Sequence, residues 1–113
     1  LERTAFGVRS LSRYGAMQFA KKVVLHCPNG VPPRLHEVAG KFVAGGVKFV
    51  GAVGPKCDEV EEIIDEAAVL AGSPGRNFIL TSSHPGESLQ DAIDFAECLT
   101  GDYEGPVQVV ELL

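Results

Sequence analysis

The sequence predicts an α/β domain of three layers, helix, sheet and helix, built on a four-stranded, mostly parallel sheet in the order βαβαβαβ. Three observations lead there. Short apolar runs rich in β-branched residues recur at 22–27, 47–53, 77–82 and 107–112. The segments between them carry apolar residues at helical spacing. Each helical segment is bounded by Gly, Pro or Ser. Strands joined through helices run parallel, and such crossovers are right-handed in nearly every case. The expected spatial order is 2-1-3-4, with the reversal between the first and third strands.

The first strand is read from Lys22 through Cys27, with Val23, Val24 and Leu25 at its centre, and Pro28-Asn29-Gly30 breaks it. Pro32 and Pro33 suit the start of a helix. Leu35, Val38, Ala39, Phe42 and Val43 follow helical spacing, and Gly45-Gly46 ends the run. Val47 to Val53 reads as the second strand. Asp58 is the expected cap of the second helix, whose stripe is Val60, Ile63, Ile64, Ala67, Leu70 and Ala71, with Glu61, Glu62, Asp65 and Glu66 opposite. Gly72 to Gly75 is a turn, and Asn77 to Ser82 the third strand. Ser88 caps the third helix, with Asp91 three residues on. Leu89, Ala92, Ile93, Ala96 and Leu99 form its stripe, which turns Cys98 outward, and Gly101 stops it. In the last strand, Val107 to Leu112, Gln108 and Glu111 suggest an edge position.

The 113 residues fit one domain, 22–113, preceded by an N-terminal extension, 1–21. Phe6, Leu11, Tyr14 and Phe19 in that extension are expected to rest on an apolar surface, of this chain or of a neighbour. An apolar fraction of 45% and a mean hydropathy of +0.12 describe a globular chain. No apolar run approaches the roughly 20 residues of a membrane span. No apolar block followed by small-residue cleavage chemistry marks a secretory signal. Three cysteines, Cys27, Cys57 and Cys98, without CxxC pairing, fit reduced thiols, so a cytoplasmic setting is expected. Charge is uneven. Residues 1–22 hold five basic groups against one acidic, a net of +4, and the remainder holds five against fourteen, a net of −9. So acidic a body repels phosphates, which argues against nucleic acid as a partner.

In an open parallel sheet, ligands bind outside the carboxyl ends of the strands. Three loops should meet there: 27–30, 54–58 and 82–88. The last, Ser82-Ser83-His84-Pro85-Gly86-Glu87-Ser88, is the richest in chemistry. A histidine titrates near neutral pH and can act as general base, with Glu87 to orient it. Its nucleophile would be Ser83, or Cys57 at a helix start, where the thiolate is favoured. His84, Ser83, Cys57 and Glu87 are therefore the candidate catalytic residues, and Asn29, Lys56 and Ser82 the candidate ligand-binding ones. The competing reading is structural: Ser, Pro and Gly are ordinary turn residues, and Ser88 already serves as a cap. His26, near the end of the first strand, reads as a satisfied, partly buried histidine. Cys27, Cys57 and His84 contain the right donors for zinc but at no compact zinc spacing, so no metal and no cofactor are expected. Gly51-Ala52-Val53-Gly54-Pro55-Lys56 matches neither GxxxxGK[ST] nor GxGxxG, which leaves at most a backbone nest for a small anion. Residues 58–66 carry six carboxylates in nine positions, a solvated face or a surface for a basic protein.

The segment TSSHPGES followed by LQDAIDFAECL resembles a family of small bacterial α/β domains that occur alone or in mobile gene cassettes. The likeness spans 22–113. It implies the α/β fold and an accessory or stress-related bacterial role, and it transfers no catalytic residue. The expected function is thus a non-enzymatic binding or protein-interaction module. A homo-oligomer is expected, formed through the N-terminal extension or an edge strand. The alternatives are a small hydrolase or transferase centred on His84, and a sensor of small anions or nucleotides.

Overall fold

The computed structural model describes residues 9–10, 19–70 and 79–113. The expected positions of Phe6, Leu11, Tyr14, Ala71, the 72–75 turn and the start of the third strand at Asn77 lie outside these. Five parallel strands form one sheet: β1 (Arg9–Ser10), β2 (Lys22–His26), β3 (Phe49–Val53), β4 (Leu80–Ser83) and β5 (Val107–Glu111). Helices α1 (Leu35–Ala44), α2 (Cys57–Leu70) and α3 (Leu89–Glu97) connect β2 to β5 in turn, and a short 3-10 turn, Gly101–Tyr103, precedes β5. This is the α/β class the sequence predicts, with a two-residue strand from the extension added.

The spatial order differs from the expected one. The sheet runs β1-β5-β2-β3-β4. Numbering the four main strands from β2, this is 4-1-2-3, equivalent to 3-2-1-4, in place of 2-1-3-4. The first strand lies between the second and the fourth, and the third forms the far edge. Given this order, the right hand of the crossovers fixes which face each helix covers. Two successive steps in one direction put α1 and α2 on one face, and the return step puts α3 on the other. Apolar residues of both faces record this arrangement. Val23, Leu25, Val50, Ala52 and Val110 pack with Leu35, Val38, Phe42, Val60 and Ile64. Val24, Phe49, Val53, Val107 and Val109 pack with Ala92, Ile93 and Ala96.

β5 is not an outer strand, because β1 pairs with its far side. Gln108 is buried, and its side-chain oxygen accepts the Ala20 N–H at 2.9 Å. Its polarity thus serves an internal hydrogen bond, not an edge. The edge strands are β1 and, at the far side, β4, whose Thr-Ser-Ser run is half-buried throughout.

Local chemistry explains the element ends. Ser88 and Asp91 form the reciprocal capping box at the start of α3. At the end of α1, Gly46 takes φ +77°, and the Val47 N–H reaches back to the Phe42 carbonyl at 3.1 Å while that of Gly46 reaches Val43 at 3.2 Å. This is the paired closure that a left-handed glycine permits. α2 begins at Cys57, so Asp58 lies in its first turn instead of capping it. Lys22 is 1% exposed, and its ammonium donates to the carbonyls of Ala96 (2.7 Å) and Leu99 (3.2 Å), capping the end of α3. Among the described residues, no helix is long and apolar enough to cross a membrane.

Candidate functional site

Because the strands run parallel and are adjacent, the loops after β2, β3 and β4 share one rim. Gly54 lies so close to Cys27 that a Cβ there would fall 2.3 Å from its carbonyl oxygen. The His84 N–H donates to the Ala52 carbonyl at 3.0 Å, continuing the ladder one residue past β4.

Side chains alternate along β4, and this sorts the hydroxyls onto two faces. Thr81 and Ser83 face α2. Ser83 Oγ donates to Asp58 Oδ1 at 2.5 Å. Thr81 Oγ1 lies 3.0 Å from Glu61 Oε2 and 2.7 Å from Asp65 Oδ1, so two carboxylates share one hydroxyl proton. Ser82 and His84 face α3. Ser82 Oγ lies 2.8 Å from His84 Nε2, and Glu87 Oε1 lies 2.9 Å from His84 Nδ1. A carboxylate only accepts, so Nδ1 carries the proton and Nε2 accepts from Ser82. The result is a hydroxyl–imidazole–carboxylate array within six residues.

Its geometry has local causes. Gly86, at φ +73°, turns the chain, and the Glu87 N–H returns to the His84 carbonyl at 3.2 Å. Gly51, the register partner of Ser82, leaves room for the imidazole: a Cβ there would sit 3.4 Å from Nε2 and 3.1 Å from the Phe49 ring. The Phe95 ring meets His84 edge-on at 5.1 Å between centroids. His84 itself is 5% exposed, while Ser82 is partly exposed.

The other candidates fall elsewhere. Ser83 points away from His84, so Ser82, read from the sequence as a ligand-binding residue, takes the place expected for Ser83. Cys57 is buried with Cys27 in the cluster beneath α1 and α2, across the sheet from His84. It is not a partner of His84, and Cys27, Cys57 and His84 do not converge. Burial, with Cys57 beside it, pushes the Cys27 thiol up to about 12. Asn29 and Lys56 are exposed on the rim. Lys56 takes φ +60° and lies 4.0 Å from Glu59. Cys98 is exposed, as its helical position predicts.

The actual order moves the topological switch point to the boundary between β2 and β5. His26 and Glu111 are register partners there, a pairing the expected order hid. His26 Nδ1 lies 3.3 Å from Glu111 Oε2. The contact is close but misaligned, so Nδ1 has no hydrogen bond among the described residues, unlike the satisfied histidine the sequence suggests.

Fold and site together define a three-layer, parallel-sheet α/β domain whose one hydroxyl-rich edge strand connects an acidic helix to a buried histidine. The chain belongs to the family described as Domain of unknown function (DUF7684), whose family model matches residues 7–113 and so includes most of the N-terminal extension. Neither the curated proteins nor the solved structures compared with it include a match.

Proposed function

We propose that the domain is a binding module that takes an extended, basic segment of a partner protein along the outer edge of β4. The observation that carries this reading is the position of β4 as the last strand of the sheet. Leu80 and His84 direct their N–H groups inward to β3. By alternation, the backbone groups of Thr81 and Ser83 point outward, where no strand pairs with them among the described residues. An open edge of this kind recruits an added strand through main-chain hydrogen bonds. Beside it runs α2, with Glu59, Glu62 and Glu66 exposed and Asp58, Glu61 and Asp65 directed at β4. This charge selects Lys- or Arg-bearing segments and disfavours nucleic acid.

A second copy of the chain is the alternative occupant, since β4 edges from two copies could pair about a two-fold axis. Their α2 carboxylates would then approach each other, which favours a basic partner instead. A bacterial cytoplasmic setting and an accessory role are part of the same proposal. They are supported by three unpaired cysteines and by the resemblance of the 81–99 segment.

Fluorescence anisotropy with a labelled Lys-rich, extended peptide tests the proposal. Binding should weaken with salt, and Thr81→Pro, which removes an outward N–H, should weaken it about tenfold or more with the fold intact by circular dichroism. Equal affinity in Thr81→Pro excludes strand addition. A concentration-dependent dimer by light scattering, lost in the same variant, transfers the edge to self-association.

A further inference from the structure

We propose that Ser82 is an activated nucleophile and that the domain carries an acyl-transfer activity toward small activated carboxylic esters. An added strand would cover the outward Ser83 N–H, so this activity belongs to the chain with its β4 edge unpaired. A buried histidine needs partners on both nitrogens, and backbone carbonyls or water would serve for that alone. Here the partners are ordered in the sense that proton transfer requires. Ser82 Oγ is 2.8 Å from Nε2, and Glu87 Oε1 is 2.9 Å from Nδ1. A hydroxyl on the accepting nitrogen and a carboxylate behind the donating one form the nucleophile–base–orienter geometry found on unrelated folds. The imidazole is fixed in place: Gly51 gives it room, Phe95 packs on its ring, and the turn at Gly86 holds Glu87.

The chemistry closes without a co-reactant. Ser82 Oγ attacks the ester carbonyl carbon, and its proton passes to Nε2, leaving an imidazolium stabilised by Glu87. The tetrahedral adduct collapses, the bond to the alcohol oxygen breaks, and that oxygen takes the proton from Nε2. Water then attacks the acyl-serine, gives a proton to Nε2, and Ser82 recovers that proton as the carboxylic acid leaves. The N–H of Ser83, the residue after the nucleophile, points to the open edge of β4 and is positioned to receive developing negative charge at the carbonyl oxygen. His84 is 5% exposed and packs against Phe95, so a substrate meets the array at the partly exposed Ser82, which suits a small acyl group.

The test uses the whole chain, a fluorophosphonate probe and p-nitrophenyl acetate. Intact-mass and peptide mapping should place one phosphonyl group on Ser82, and Ser82→Ala should remove it. Glu87 is a positioning residue with an exposed side chain, so Glu87→Gln keeps the fold. It should slow both labelling and ester turnover by about 100-fold or more and alter their pH profile. Folding of each variant is verified by circular dichroism and thermal melting. A folded wild-type chain that leaves Ser82 unlabelled overturns the proposal, and so does labelling at the same rate in Glu87→Gln.

Discussion

The most informative single perturbation outside these sites is at Lys22. Its ammonium is taken wholly out of water at the amino end of the sheet and held by two carbonyls at the end of α3. Removing an ammonium from water costs several kcal/mol. Against that stand two charge-assisted hydrogen bonds, about 1.5–3 kcal/mol each, and the attraction of a cation to a helix C-terminus, up to about 2 kcal/mol when partly buried. Lys22→Met keeps the apolar stem and removes the charge. The Ala96 carbonyl retains the Leu99 N–H at 3.2 Å, whereas the Leu99 carbonyl loses the Lys22 bond. The expected cost is about 1–3 kcal/mol, that of one or two poorly satisfied carbonyls less the relief of desolvation. Lys22→Ala also removes three buried methylenes at about 0.8 kcal/mol each, for a total of about 3–5 kcal/mol. With a urea slope of about 2 kcal/mol per molar, the midpoints should fall by roughly 1 M and 2 M at unchanged slope. Urea titration followed by far-ultraviolet circular dichroism measures both. A Lys22→Met midpoint at or above wild type would falsify the claim that these hydrogen bonds outweigh the desolvation cost.

Two glycines should respond oppositely to the same change. Gly54→Ala drives a Cβ to 2.3 Å from the Cys27 carbonyl at φ +120°, and should lower the melting temperature by about 10 °C or more. Gly40→Ala, in α1 with nothing near its Cβ, should stabilise by about 0.5–1 kcal/mol in a chemical denaturation series. Ser88→Ala should cost about 1 kcal/mol by breaking the α3 capping box, read as a loss of denaturation midpoint. A chromogenic disulfide reagent should titrate Cys98 rapidly in the native protein, and Cys27 and Cys57 only after unfolding. The Cys27 thiol is raised from its ordinary 9.0 to about 12. The unfolded chain therefore loses that proton first, and this contribution to stability is full below pH 9 and declines toward pH 12, measurable in melts across that range.

Much of the architecture was legible because burial leaves a period. Val23, Val24 and Leu25 announce a strand covered on both faces, and Leu35, Val38, Ala39 and Phe42 announce one helical stripe. The strand order was harder to read because period 2 identifies a strand without naming its neighbours. A cue was present: Thr81-Ser82-Ser83 is the most polar strand centre and lies at the edge. Gln108 and Glu111 misled because each has a specific partner, Ala20 N–H and His26. At the site, Glu87 three residues after His84 indicated an orienting carboxylate. Choosing between Ser82 and Ser83 required knowing that extended backbone continues to His84, past the strand end read at Ser82; period 2 then puts residues 82 and 84 on one face.

Composition, periodicity and turn residues alone determined the α/β class, the helices, the cap at Ser88 and the turn at 84–87, because these depend on residues close in the chain. The tertiary structure decided that β4 is an edge strand and which layer each of Ser82 and Ser83 faces. It also placed Cys57 across the sheet from His84, and His26 beside Glu111. These last facts depend on which strands adjoin and which way the crossovers return, a choice governed by packing between segments distant in sequence.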